Sequence, residues 1–242
     1  MIPGAWHGSW CFDRLREPLE RGGHAMFAPD LPGAGGDARA MTRVSLERWG
    51  KFIVDEMRRL PGPLILCAHS RGGIVASQAA EMAPDDVAAL VYISGALIPN
   101  GRSLHDVIGR TMGEGAFGAS LSPVNDGLGL RFSPDTAATF FYNRCEVSDQ
   151  TACVARLIDE PVRPLTTNLR LTAERFGRIP RHYVECVDDN TFPLAVQRAM
   201  QAELPCETVT TLESDHSPFI CMPDRLAMAL TTIANSVERK EQ

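Results

Sequence analysis

Three short stretches hold residues that could together attack a carbonyl. In "LILCAHSRGG", residues 64–73, Ser70 follows an apolar run and precedes two glycines. A serine hydroxyl is a weak nucleophile near neutral pH and needs a neighbouring base. His216, in "LESDHSPF", is placed to be that base, and "ECVDDN" offers Asp188 and Asp189 as the carboxylate that would orient its ring. The chain order is then serine, acid, histidine, one of the known orders of a hydrolytic triad. Each member also has a bland reading. Ser70 could simply cap the following helix, the acidic pair could be a solvated loop, and His216 could be a surface residue. All three, however, fall at the ends of expected strands.

Attack on a carbonyl also needs donors for the negative oxygen that develops. The backbone N–H of Arg71 lies at the positive end of a helix. A second donor is expected from the loop "IPGAWHG", with Ala5 N–H best placed and Gly4 and Gly8 allowing close approach. His7 shares that loop without being required by the chemistry, and His69 and Arg71 flank the nucleophile. His105 and His182 read as structural or surface residues. No histidine–carboxylate pair has metal-site spacing, and neither a metal nor another cofactor is expected. The glycines at 33, 35 and 36 lack the lysine of a phosphate loop.

The surrounding pattern supplies elements to hold these groups. The run 64–67 is continuously apolar, as in a strand buried on both faces of a parallel sheet, and 87–95 reads as another buried strand. Further strands are expected at 25–28, 181–186 and 206–212. Helices are expected at 12–23 (weakened by Pro18), 45–59, 72–84, 193–204 and 223–237, with Pro193 and Pro223 suited to open the last two. This alternation predicts an α/β fold, a mostly parallel sheet with helices on both faces. From 97 to 170 the rhythm breaks into glycine-rich sequence and short helical candidates at 134–143 and 148–158. That stretch reads as an inserted, mainly helical cap, leaving residues 1–96 and 171–242 as the core.

With 242 residues the chain can bury one sizeable core. Its 24 basic and 30 acidic residues give a formal charge of −6, which argues against nucleic acid or an anionic membrane as partner. No apolar stretch reaches the roughly 20 residues of a membrane span. Seven scattered cysteines without a C-x-x-C pair point to a reducing, cytoplasmic setting.

These anchors resemble those of the α/β-hydrolase superfamily over essentially the whole chain. The likeness is greatest to the small-cap group of plant methyl-ester esterases, hydroxynitrile lyases and bacterial esterase relatives. The group's opening "HGAxHGxWxW" appears as Pro3-Gly4-Ala5-Trp6-His7-Gly8-Ser9-Trp10-Cys11-Phe12, and its "GHSxGG" as Ala68-His69-Ser70-Arg71-Gly72-Gly73. Its acid segment matches Tyr183 to Asp189, which selects Asp189, and its "DH" falls on Asp215-His216. The resemblance implies a serine hydrolase cleaving a small or medium hydrophobic carboxylic ester through an acyl-enzyme. Lactone, thioester or carbon–carbon bond hydrolysis is the enzymatic alternative, and a binding protein with a hydrolase fold is the non-enzymatic one. The lyases it resembles carry threonine at the position of Gly4 and lysine at that of Ser217, so lyase chemistry is not expected. Trp6, Met112, Phe117, Phe140, Phe141 and Phe219 are expected to wall the substrate site, and a homodimer is compatible with the sequence. One feature conflicts with the group. The opening loop should follow a central strand, yet only Met1 and Ile2 precede Pro3, so either the natural start lies upstream or the strand is severely shortened.

Overall fold

The computed structural model describes residues 1–113 and 115–241, the side chains of residues 110–112 and 240–241 excepted. The core sheet contains β1 (Leu64–His69), β2 (Val87–Ile93), β6 (Arg181–Cys186) and β7 (Thr208–Leu212), in the order β1-β2-β6-β7. All neighbours run parallel, with Leu66 opposite Leu90, Tyr92 opposite Tyr183 and Cys186 opposite Leu212. Side chains alternate across the sheet, as a period of two demands. Leu66, Ala68, Leu90, Tyr92 and Tyr183 enter one apolar cluster; Cys67, Ala89, Val91, Ile93, Val184 and Leu212 enter the other.

Helices cover both faces. α1 (Asp13–Arg21) and the long carboxy-terminal α12 (Pro223–Glu241) pack on one side through Leu15, Leu19, Leu226, Leu230 and Ile233. Of the following elements, the short α2 (Ala38–Met41) leads into α3 (Leu46–Met57), which is capped by the Ser45 side chain accepting from Arg48 N at 3.2 Å. α3 and α4 (Gly72–Met82) lie on the opposite face with α10 (Leu194–Glu203), burying Trp49, Ile53, Ile74, Ala79 and Met200. The small residues of α4 serve its close approach to the sheet. A Cβ on Gly73 would stand 2.5 Å from Ala96 O and 2.8 Å from Ala96 N. Gly73→Ala should therefore destabilise the protein by about 1–3 kcal/mol, because the obstruction is backbone. That reverses the gain of about 1 kcal/mol such a change brings in an open helix. Urea unfolding of the variant against the parent checks the sign.

Between β2 and β6 the cap is inserted: α5 (Leu104–Gly113), α6 (Ala116–Ala119), α7 (Pro134–Phe141), α8 (Val147–Val154) and α9 (Val162–Leu165). It is helical, as expected, but it also carries a three-stranded sheet of β3 (Leu121–Val124), β4 (Gly129–Phe132) and β5 (Glu160–Pro161). The hairpin between β3 and β4 turns at Asn125, Asp126 and Gly127, which have φ of 52°, 56° and 83°. Asn, Asp and Gly are the residues that tolerate this region.

The expected strand at 25–28 does not form. A strand needs a partner ladder, and the bonds to this segment come from a chain terminus and a side chain instead: the Met1 amino group donates to Phe27 O at 2.6 Å and Arg16 Nη1 to Met26 O at 2.9 Å. Ile2 forms a single parallel rung on the outer side of β1: its N–H donates to Cys67 O at 2.8 Å, and its carbonyl accepts from His69 N at 3.0 Å. Pro18 lies within α1 without ending it. The last helix runs four residues beyond its expected end at 237. α11 (Pro218–Cys221), unforeseen, fills the turn after His216.

Candidate active site

Ser70 stands between β1 and α4 with φ at +50°, the left-handed region that a non-glycine residue enters at a cost of about 1–3 kcal/mol. The turn is held on several sides. Ser70 N donates to Ile93 O at 3.3 Å, and Ser70 O accepts from Gly73 N at 3.0 Å and Ala96 N at 2.8 Å. Gly72 runs so close to the first loop that a Cβ there would meet Ile2 O at 2.7 Å and Pro3 O at 2.9 Å. The helix makes no use of the hydroxyl. Its N-cap position belongs to Arg71, with no side-chain cap hydrogen bond. A strained turn that presents an uncommitted hydroxyl is the opposite of a capping serine.

His216 follows β7 and Asp189 follows β6, so both reach the carboxyl edge of the sheet where the elbow lies. His216 Nδ1 and Asp189 Oδ2 are 2.7 Å apart, and both side chains are buried. The carboxylate is fixed from every side. Thr191 N and Phe192 N donate to Oδ1 at 2.7 and 2.8 Å, and Ser94 Oγ joins His216 on Oδ2. Asp188, the other carboxylate left open by the residues themselves, turns outward to Arg144 at 3.4 Å. His216 is tied to the elbow through His69, whose Nε2 donates to His216 O at 2.7 Å and whose ring centroid lies 4.6 Å from that of His216. Among the described residues no hydrogen bond joins Ser70 Oγ to His216, a contact that in unliganded hydrolytic sites is often long.

The first loop brings Ala5 beneath the same edge. Neither Ala5 N–H nor Arg71 N–H has an acceptor among the described residues. Trp6, next in the chain, has φ of 61°. Its N–H donates to Glu160 Oε2 at 3.2 Å, its carbonyl accepts from Ile158 N at 2.9 Å, and its indole N–H donates to Leu130 O at 2.9 Å. Glu160 belongs to the cap and is fully buried against Arg71, with Arg71 Nε 2.9 Å from Glu160 Oε1. Arg71 Nη2 reaches both Glu160 Oε2, at 3.3 Å, and Gly4 O, at 2.9 Å, and the guanidinium lies 4.6 Å over the Trp49 ring. Burial pushes the Glu160 carboxyl upward, with the Arg71 charge opposing it. Glu160 is the site residue that sequence reasoning missed. The only signal was Arg71 itself, since an arginine at the start of a buried helix demands a carboxylate from somewhere.

Two neighbouring histidines are kept neutral. His7 Nδ1 donates to Ala5 O at 2.7 Å, which leaves Nε2 to accept from the Tyr142 hydroxyl at 2.7 Å. Burial lowers the His7 pKa to about 4 and pushes His69 well below its ordinary value. The unfolded chain therefore takes up protons before the folded one as pH falls. Stability should be full above about pH 6.5 and drop as pH moves toward 4, His7 alone contributing about 3 kcal/mol at roughly 1.4 kcal/mol per pH unit. Urea midpoints at pH 7.5 and 5.0 measure this, and His7→Gln should flatten the difference.

Of the expected wall residues, Trp6, Phe117, Phe140 and Phe141 form one aromatic cluster with Phe132, with centroid separations such as 5.2 Å for Trp6–Phe132 and 5.1 Å for Phe117–Phe140. Phe141 carries the cluster to His216, 6.0 Å away. Phe219 packs instead beneath His69, 4.8 Å distant, and against Phe12, with no exposed surface. The Met112 side chain falls outside the described residues. Of two surface cavities, of about 560 and 260 Å³, the first is lined by Thr42, Arg48 and Arg163 among others and the second by His7, Trp10, Asp30 and Arg156 among others; neither lining includes Ser70 or His216. Among the described residues no helix is long and apolar enough to cross a membrane.

The profile described as "Alpha/beta hydrolase family" matches residues 1–229. The chain belongs to the alpha/beta hydrolase family. This hydrolase is similar to the pyrethroid hydrolase of Sphingobium wenxiniae, at 31% identity covering 98% of this chain and 87% of that protein. It is also similar to methylesterase 7 of Arabidopsis thaliana, at 28% identity over 97% and 95%. Among solved structures, a pyrethroid hydrolase from Sphingobium faniae JZ-2 superimposes with a TM-score of 0.84 at 29% identity, covering 97% of this chain and 95% of that one. Polyneuridine aldehyde esterase, with a TM-score of 0.83 at 21% identity over 96% and 98%, shares the fold.

Proposed function

We propose that this hydrolase cleaves small or medium hydrophobic carboxylic esters through an acyl-enzyme on Ser70. The observation that carries the reading is the buried His216–Asp189 pair beside a strained, uncommitted serine. His216 Nε2 takes the Ser70 proton as Oγ attacks the ester carbonyl. Ala5 N–H and Arg71 N–H, both without an acceptor among the described residues, receive the oxyanion. His216 then protonates the leaving alcohol, and in the second half it activates water to release the acid. Asp189 holds the ring with Nδ1–H toward itself, leaving Nε2 free for the proton transfers.

The cap, taken as residues 97–170, contributes aromatic walls through Phe117, Phe140 and Phe141, with Trp6 from the core. That lining suits an apolar acyl or alcohol group, in keeping with relatives named for methyl esters and pyrethroids. Lyase chemistry is disfavoured by space as well as by residue type. A Cβ at position 4 would stand 2.7 Å from His69 Nδ1 and 2.9 Å from Ser70 Cβ, so the threonine of those lyases would displace the elbow. Seven unpaired cysteines suit a reducing compartment such as the cytoplasm.

A serine-directed phosphonate should label the folded protein stoichiometrically at Ser70, as read by peptide mass. p-Nitrophenyl esters of varied acyl length, assayed beside lactones and thioesters, should be the fastest substrates. Absence of labelling in folded protein would remove the acyl-enzyme and favour a binding role.

A further inference from the structure

A second constellation lies beside the candidate site and takes no part in the chemistry above. Cys145 lies in the cap between α7 and α8, Asp215 directly precedes His216, and Cys221 ends α11. Their Sγ, carboxylate and Sγ atoms all stand within 4.8 Å of one another. Cys145 Sγ is 3.4 Å from Asp215 Oδ2, and Cys221 Sγ is 3.3 Å from Asp215 Oδ1. Zinc–sulfur bonds of about 2.3 Å and zinc–oxygen bonds of about 2.0–2.2 Å give a tetrahedral site S–O edges near 3.5 Å and an S–S edge near 3.8 Å. The three donor atoms lie within 4.8 Å of one another with each thiol against a different oxygen of Asp215, so a turn of that carboxylate would bring one oxygen toward both sulfurs. Cys221 is half-buried rather than sealed, so an ion can reach the cluster from its side.

We propose that Cys145, Asp215 and Cys221 form a site for a soft divalent cation such as Zn²⁺, with water as the fourth ligand. Binding exchanges two S–H···O contacts for two metal–thiolate bonds and releases two protons, the cation taking the place of the charge they carried. Two thiolates and a carboxylate are a donor set that Mg²⁺ and Ca²⁺ do not favour and Zn²⁺ or Cd²⁺ does.

The ion would act on the neighbouring histidine through Asp215. That carboxylate also accepts from Arg144 N and from Ser217 N, each at 2.9 Å. It thus fixes the backbone on either side of His216 and joins the cap to the loop. Turning the carboxylate toward an ion loosens at least one of these bonds and shifts His216 from its place at the elbow. Zn²⁺ should then inhibit hydrolysis without competing with substrate. This second half rests on the proposed ester hydrolysis; the binding does not.

Cd²⁺ titrated into the reduced protein should produce ultraviolet thiolate-to-cadmium absorption that saturates at one equivalent. Cys145→Ser and Cys221→Ser should each weaken binding by more than the about 10- to 100-fold lost with an outer-shell partner. Zn²⁺ should slow p-nitrophenyl ester hydrolysis by the parent, reversibly with EDTA. Each serine variant, compared with its own metal-free rate, should resist the ion. Absorption that persists unchanged in both variants, or a Cys145–Cys221 disulfide in place of ion binding, overturns the site. Full Cd²⁺ binding with undiminished activity overturns the inhibition. If the protein hydrolysed no ester, the absorption would still decide the site.

Discussion

His216→Ala should lower kcat on a p-nitrophenyl ester by on the order of a million-fold, the scale reached when the base of a serine triad is removed. The size follows from burial. The imidazole is enclosed, its Nδ1 held at 2.7 Å by Asp189 and its carbonyl by His69, so bulk water cannot take over the proton transfer. Ser70→Ala should cost about the same, since nucleophile and base act as a unit. Asp189→Asn should cost less, on the order of 10⁴-fold, by reversing the donor and acceptor roles at Nδ1. Single-turnover assays, with circular dichroism to verify folding, separate these from simple unfolding. Equal activity in parent and His216→Ala would refute the mechanism.

The second large effect is on stability. Glu160→Ala should destabilise the protein by about 3–5 kcal/mol, because it strands the Arg71 guanidinium in a site that excludes water. The same change releases Trp6 N and loosens the loop carrying Ala5 N–H, so kcat should fall by up to about 100-fold in the protein that remains folded. Replacing both members, Arg71→Met with Glu160→Leu, should recover most of the stability, since apolar packing often equals a buried ion pair. It should not recover kcat, because the hydrogen bonds to Gly4 O and Trp6 N are still missing. Chemical denaturation and steady-state rates on the three variants test this. A double variant as unstable as the single one would show that packing, rather than charge, governs the position.

The core and the candidate site were legible in the sequence for a common reason: both depend largely on local pattern. Continuous apolar runs marked β1 and β2, and the residues just beyond each strand had to gather at one sheet edge, which brought Ser70, Asp189 and His216 into one region. What stayed hidden depends on how distant segments meet. Glu160 is one of 30 acidic residues, and nothing in "DEPVRP" says that it will be buried. The Cys145–Asp215–Cys221 grouping joins a cap cysteine to a loop 70 residues later in the chain, so spacing alone does not reveal it. The strand expected at 25–28 had the right residues but no neighbouring ladder among the described residues, its carbonyls taking up the Met1 amino group and the Arg16 side chain. The small sheet of the cap lay behind a glycine count that suggested irregular structure, although Asn125-Asp126-Gly127 was itself a hairpin signal.

The ion pair joining Arg71 to Glu160 also constrains how such proteins can change. A chimaera that receives its lid from a relative would inherit an unbalanced charge unless an acidic side chain returns to the same spot. Across descendants, the two positions should therefore be exchanged together or not at all, and a library that randomises the lid for new specificity should leave residue 160 untouched.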